Sequence, residues 1–193
     1  MSAILLAAGS ARRFGSQKLL ARLPDGRFIV EAAAQNLLAG AGHVIAVVGN
    51  NERLQRVLTD CGCRVVVNAD ADEGMGTSIA AGVRASAEDD AWIIALGDMP
   101  YIRPDTIVSI LNLLNASNAD HGIVIPTFDE VRGHPVAFAR RFGEELIALR
   151  GDQGARSVVA AHPDRIRLLP VEDAGVLADI DTPDDLENSL FSP

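Results

Sequence analysis

The chain has a single lysine, Lys18; every other basic residue is arginine. A lysine retained in such a composition suits a position that needs a compact ammonium rather than a planar guanidinium fork. Lys18 closes the loop Gly9-Ser-Ala-Arg-Arg-Phe-Gly-Ser-Gln-Lys18, which also carries Arg12 and Arg13 and follows an apolar run. A glycine-containing basic loop after a first strand suits phosphate, because backbone N–H groups approach closely and the cations neutralise charge. The spacing is not a Walker A loop, in which lysine directly follows the second glycine. It is not the dinucleotide fingerprint either, since G-x-G-x-x-G fails at Ala11.

Acidic residues offer a place for a hard cation. Asp98 stands in Ala95-Leu-Gly-Asp-Met-Pro-Tyr101, at the end of an apolar run and between Gly97 and Pro100. Mg²⁺ prefers one or two carboxylates plus substrate phosphates, so Asp98 is a candidate ligand, with a turn cap as the structural alternative. The segment Asp179-Ile-Asp-Thr-Pro-Asp-Asp-Leu186 is a second acidic cluster. Thr182, Pro183, Asp184 and Asp185 read as an N-cap, a first-position proline and first-turn acids. Asp179 and Asp181, alternating with Ile180, are left as candidates for a second carboxylate on the same cation. Gly74-Met-Gly-Thr-Ser78 either caps a helix at Thr77 or Ser78 or reads a base or ribose. His134 is a general-base candidate or a structural histidine, and Gly151-Asp-Gln-Gly-Ala-Arg156 is more polar and glycine-marked than a plain turn requires.

These residues need elements to position them. Apolar, β-branched runs at 3–7, 44–48, 65–68, 92–96 and 123–126 alternate with helical patterns at 29–38, 52–61, 77–87 and 104–115. This alternation predicts βαβ units and a mostly parallel, doubly wound, Rossmann-like α/β sheet. A strand at 135–139, helices at 141–149 and 155–161, a strand at 166–169 and a terminal helix from Pro183 extend the same sheet. At 193 residues, with no linker or repeat, one domain is expected. Ligands of such sheets bind outside the carboxyl ends of the parallel strands. The loops 9–18, 68–78 and 97–98 should therefore meet in one crevice.

Composition excludes several classes. The net charge of −9 argues against general affinity for nucleic acid or an anionic membrane. No apolar run approaches the ~20 residues of a membrane span, and a cytoplasmic location is expected. Cys61 and Cys63 lack further ligands at zinc spacing and read as reduced thiols.

Taken together, Leu6-Ala-Ala-Gly9 with Arg13, Gly15 and Lys18, then Gly74-Met-Gly-Thr-Ser78, Gly97-Asp-Met-Pro100, Gly133-His-Pro-Val136, Gly151-Asp-Gln-Gly-Ala-Arg156 and Asp179–Leu186 resemble the MobA-like nucleotidyltransferases, in their molybdenum cofactor cytidylyltransferase branch. The resemblance implies a three-layer nucleotidyltransferase fold and attack of a terminal phosphate of molybdopterin on the α-phosphorus of a nucleoside triphosphate, with Mg²⁺ as cofactor. It implies that Leu6, Ala7, Ala8 and Gly9 hold base and ribose, with Asp72, Gly76, Thr77 and Ser78 at the nucleotide loop. Arg13 and Lys18 would take the phosphates, Asp98 the metal, and His134, Gln153 and Arg156 the acceptor. Ala8 implies CTP rather than GTP, and transient contact with a client molybdoenzyme follows from the product. Two departures stand out: Phe14 in place of methionine and Gln17 in place of proline. Guanylyl or sugar-phosphate transfer on the same fold, and a non-catalytic carrier of nucleotide or cofactor, are the alternatives.

Overall fold

A computed structural model describes residues 1–9, 18–116, 121–182 and 185–186. Strands β1 (Ser2–Ala7), β2 (Val44–Val48), β3 (Arg64–Val67) and β4 (Ala91–Leu96) pair in parallel in the order β3-β2-β1-β4. β7 (Val136–Ala139) then pairs antiparallel with β4 on one side and β5 (Ile123–Phe128) on the other. A short strand β6 (Val131–Arg132) makes a hairpin with β5, and β8 (Ile166–Pro170) pairs in parallel with β5. The eight-stranded sheet is thus parallel except where the β6–β7 segment enters it.

Strand alternation assigns the two faces. Ala3, Leu5 and Ala7 of β1 look toward helices α1 (Ile29–Ala41), α2 (Glu52–Asp60) and α4 (Pro104–Asn115). Ile4 and Leu6 look toward α3 (Met75–Ala85), α5 (Gly143–Ala148) and α6 (Arg156–Ala161). Burial on both faces is why the strands read as unbroken apolar runs. Each fully buried Ile or Leu, such as Ile4, Leu5 and Ile45, contributes about 1.5–3 kcal/mol. The helices fill the crossovers, giving the three-layer arrangement that the resemblance implies.

Three expectations need correction. α3 starts at Met75 with Gly74 as its N-cap, two residues before the predicted start at Thr77. Gly74 has φ +111°, a conformation that glycine tolerates and a side chain does not. The strand predicted at 135–139 is in the same sheet, as expected, but runs antiparallel between β4 and β5. The helix predicted at 141–149 begins as a 3-10 turn at Arg140–Phe142 and is helical only over Gly143–Ala148. Arg12, Arg13, Phe14, Gly15 and Gln17 lie outside the described residues, as does most of the segment for which a terminal helix from Pro183 is expected. Cys61 and Cys63 are free thiols, and burial pushes Cys63 up to about 12. Among the described residues no helix is long and apolar enough to cross a membrane.

Candidate active site

The three predicted loops do meet. Lys18 opens a 3-10 turn (Lys18–Leu20) whose Leu20 is buried in the core, so the lysine stem is carried inward and only 7 % of the residue is exposed. Its Nζ donates to Asp98 Oδ2 at 3.0 Å and to Asp181 Oδ1 at 2.7 Å. Burial alone pulls this ammonium down, but the Asp181 hydrogen bond and the charge of Asp98 outweigh it and hold the pKa above 10.5. Lys18 is therefore a fixed cation joining Asp98 to Asp181, one of the two candidates that sequence analysis left open for a second carboxylate.

Local structure explains how they converge. Gly97 donates its N–H to Leu6 O at 2.9 Å, and a Cβ there would sit 2.9 Å from the same oxygen. Only a glycine lets β4 turn tightly against β1 and aim Asp98 into the crevice. Ile180 N donates to Asp98 O at 3.0 Å, and the Ile180 side chain is buried with Leu23, Ile29 and Ala32. That anchor carries Asp181 to Lys18. Asp185 Oδ2 accepts from Asp181 N and Thr182 N, and Thr182 Oγ1 accepts from Asp185 N, so the cap expected at Thr182 forms. Asp179, on the far side of Ile180, has no ion pair among the described residues; partial burial and the Asp181 charge push its carboxyl upward.

Asp98 Oδ1 is buried and has no hydrogen-bond partner among the described residues. A carboxylate with one oxygen on an ammonium and the other unsatisfied fits a cation ligand. No group of three or more His, Cys, Asp or Glu among the described residues could hold a metal unaided. The donor set fits a hard divalent ion that takes its remaining ligands from phosphates and water. Asp98 and Asp181 would be its protein ligands.

Around this cluster lies a 520 Å³ cavity whose walls include Ala8, Gly9, Asp72, Ser78 and Asp98. A 340 Å³ extension reaches Ala7, Gly49, Asn50 and Asn68. Gly76 and Thr77 line neither. Thr77 is buried: its Oγ1 accepts from Asn68 Nδ2 at 2.9 Å and is within donating distance of Asp70 O and Gly74 O. Asn68 also donates to Ser78 Oγ, so these hydroxyls pin the 68–78 loop. Gly76 N donates to Gly151 O at 2.9 Å, and a Cβ on Gly74 would fall 2.3 Å from the Gly151 carbonyl carbon. The glycines of this motif admit the 150–152 backbone.

A second cavity of 540 Å³ adjoins the first, sharing Leu6, Leu96, Met75 and Asp152 as walls. It has an apolar floor, including Ile94, Ile125 and Val136, and holds the predicted His134, Gln153 and Arg156. His134 is set by a backbone bond from its N–H to Val176 O at 2.9 Å. Burial, then the Arg156 charge, hold its pKa below 6.5, so the ring is neutral near pH 7. Sequence reasoning missed Arg132 and the wall role of Asp152. Arg132 carried little signal: it closes a two-residue strand, and residues 133–135 that follow it lie outside any strand.

Four aspartates and one lysine line the first cavity, where a triphosphate would need added positive charge; Arg132, His134 and Arg156 face one aspartate in the second. A mostly parallel α/β sheet that brings Lys18, after β1, against Asp98, after β4, at the edge of a cavity suits a nucleotide-transferring enzyme. The chain belongs to the MobA-like NTP transferase domain family, whose model matches residues 3–166, and is a nucleotidyltransferase. It is 29% identical to the nicotine blue oxidoreductase of Paenarthrobacter nicotinovorans, over 94% of this chain and 92% of that one. Identity to the molybdenum cofactor cytidylyltransferase of Escherichia coli K12 is 27%, over 94% of this chain and 91% of that one. Among solved structures, Rv0371c of Mycobacterium tuberculosis H37Rv superposes with a TM-score of 0.81 at 28% identity, covering 99% of this chain and 97% of that one. The same protein has been solved in complex with manganese, consistent with divalent-metal use on this fold.

Proposed function

We propose that the protein transfers CMP from CTP to the terminal phosphate of molybdopterin, releasing pyrophosphate, with Mg²⁺ as its metal. The observation that carries this reading is the junction of an acidic cavity, built around Asp98, Asp181 and Lys18, with an apolar, basic-edged one. The likeness to a molybdenum cofactor cytidylyltransferase supports the choice of nucleotide and acceptor. Leu6, Ala7, Ala8 and Gly9 hold base and ribose with Asp72, the Ala8 methyl narrowing the room for a purine. His134, Gln153 and Arg156 hold the acceptor. Under this reading the enzyme works in the cytoplasm and passes its product to a client molybdoenzyme.

Asp98 and Asp181 would hold the Mg²⁺, which when bound neutralises triphosphate charge and favours departure of pyrophosphate. Lys18 has three N–H donors, two of them committed to the carboxylates, so the third serves a phosphate oxygen. An oxygen of the acceptor phosphate bonds to the α-phosphorus as the bond from that phosphorus to the bridging oxygen breaks, and the electron pair leaves with pyrophosphate. A phosphate monoester has its second pKa near ~6, so no general base is needed to make the nucleophile. A neutral His134 agrees with that: it hydrogen-bonds the acceptor rather than taking its proton.

The test is pyrophosphate release from purified protein with molybdopterin, Mg²⁺ and either CTP or GTP. CTP should exceed GTP by roughly tenfold or more in kcat/KM. Equal turnover overturns the pyrimidine preference, and no release with either overturns the reading.

A further inference from the structure

We propose that Arg132 and Arg156 form a clamp for the acceptor's phosphate, making Arg132 a substrate-positioning residue of the second cavity. The inference rests on that cavity's being the acceptor site and adds the group that holds the nucleophile.

Four observations converge. Arg132 and Arg156 both line the cavity, one from the β5–β6 hairpin and one from the start of α6. Neither makes an ion pair among the described residues. Two unpaired guanidiniums against one apolar floor, on a chain of net charge −9, mark a local demand for an anion.

The backbone that presents Arg132 is fixed. Thr127 pairs with Arg132 across the hairpin, Gly133 N donates to Pro126 O at 2.8 Å, and a Cβ on Gly133 would meet Val176 O at 2.4 Å. The β4–β7 register, Ala91 opposite Ala139 and Ile94 opposite Val136, runs toward Asp98 on one strand and the 132–134 segment on the other. The segment that carries the clamp therefore approaches the metal-binding carboxylate, and His134 lies within the electrostatic field of both Asp98 and Arg156.

The fourth observation is His134 Nδ1, which is buried without a hydrogen-bond partner among the described residues. A polar ring atom left unsatisfied between two arginine-bearing segments needs a ligand group to complete it. A phosphomonoester on a flat, largely apolar body satisfies all of these. Its oxygens meet the two guanidiniums, its body lies on Ile94, Ile125 and Val136, and its nucleophilic oxygen faces the first cavity.

The test compares two fluorescent probes, 6-hydroxymethylpterin and its phosphate monoester, in fluorescence titrations of the full chain without CTP. Wild type should bind the phosphate ester roughly tenfold or more tightly than the alcohol. R132M should erase most of that ratio while leaving affinity for the alcohol and for Mn²⁺–CTP unchanged, and R132K should recover part of it. An unchanged ratio in R132M, equal binding of the two probes by wild type, or no binding of either overturns the clamp. If molybdopterin accepts no CMP while the Arg132-dependent ratio persists, the acceptor assignment falls and the clamp stands. If transfer proceeds and R132M keeps the ratio, the reverse holds.

Discussion

Replacing Lys18 by arginine keeps the charge and should still cost catalysis. The ammonium lies 3.0 Å from Asp98 Oδ2 and 2.7 Å from Asp181 Oδ1, and the residue is only 7 % exposed. A point cation with three donors can bridge two separate carboxylates and still direct one N–H into the cavity. A planar guanidinium presents its donors in a rigid fork that matches one carboxylate side by side. In K18R the donor aimed at the triphosphate is the one lost. A charge-assisted hydrogen bond is worth about 1.5–3 kcal/mol, so kcat/KM for CTP should fall roughly 10- to 150-fold at about 1.4 kcal/mol per decade. Stability should hold, because the charge between the carboxylates remains. Lys18→Met tests that division: water screens Asp181, 58 % exposed, better than Asp98, 27 % exposed, so the stability loss falls mainly on Asp98 while turnover falls further. Lys18 contributes no inflection to a rate profile between about pH 6 and pH 9. Its folded pKa lies above 10.5, so the stability it adds is complete below 10.5 and lost only as pH rises through the folded value. The assay is initial-rate pyrophosphate release beside urea unfolding. Wild-type kcat/KM in K18R, or unfolding of K18M, would refute the reasoning.

Asp98→Asn should abolish Mn²⁺ binding measured by electron paramagnetic resonance in the presence of CTP, whereas Asp179→Asn should leave it within about twofold; loss in both would make Asp179 a ligand. Asp173 is 4 % exposed and accepts from Arg103 N at 2.9 Å, Thr106 Oγ1 at 2.7 Å and Gly175 N at 3.1 Å. Asp173→Ala strands those donors and should cost about 2–4 kcal/mol in urea unfolding, with Asp173→Asn recovering part. His134 has its folded pKa held below 6.5, so its neutral state adds stability above about pH 6.5 that is lost as pH falls toward the folded value. His134→Gln should flatten that slope between about pH 7.5 and pH 5, and an unchanged slope would show that another group sets it.

The half of the molecule with simple alternation was legible in the sequence. β1, β2 and β4 are apolar on both faces, and a parallel sheet with its ligand loops at one end follows from that pattern. Among the crevice residues, Lys18 stood out as the single lysine, Asp98 as an acid at the end of an apolar strand, and Asp181, with Asp179, as an acid the helix cap does not explain. What the sequence did not disclose was their direct contact, which depends on Ile180 docking on the core and on a backbone bond to Asp98. Gly76 and Thr77 look like ligand residues by type, yet their local work is close backbone approach and loop pinning. The antiparallel entry of β7 was hidden for a related reason: a short strand gives the same apolar signal whichever way it runs. Arg132 was hidden because a two-residue strand beside Gly133 reads as a surface turn.

The contact of the 74–76 and 150–152 backbones has a consequence for how the two substrates sense each other. Gly74 and Gly76 pack against the main chain of Gly151 and Arg150, with the Asp152 carboxylate also against Gly74. A displacement of the loop bearing Asp72 and Met75 therefore moves the loop bearing Asp152 and Gln153. Under the proposed function, nucleotide and acceptor affinities are expected to be linked through that seam, and linkage is reciprocal: any factor by which one substrate changes the affinity of the other must be matched in return, which titrating each in the presence and absence of the other measures.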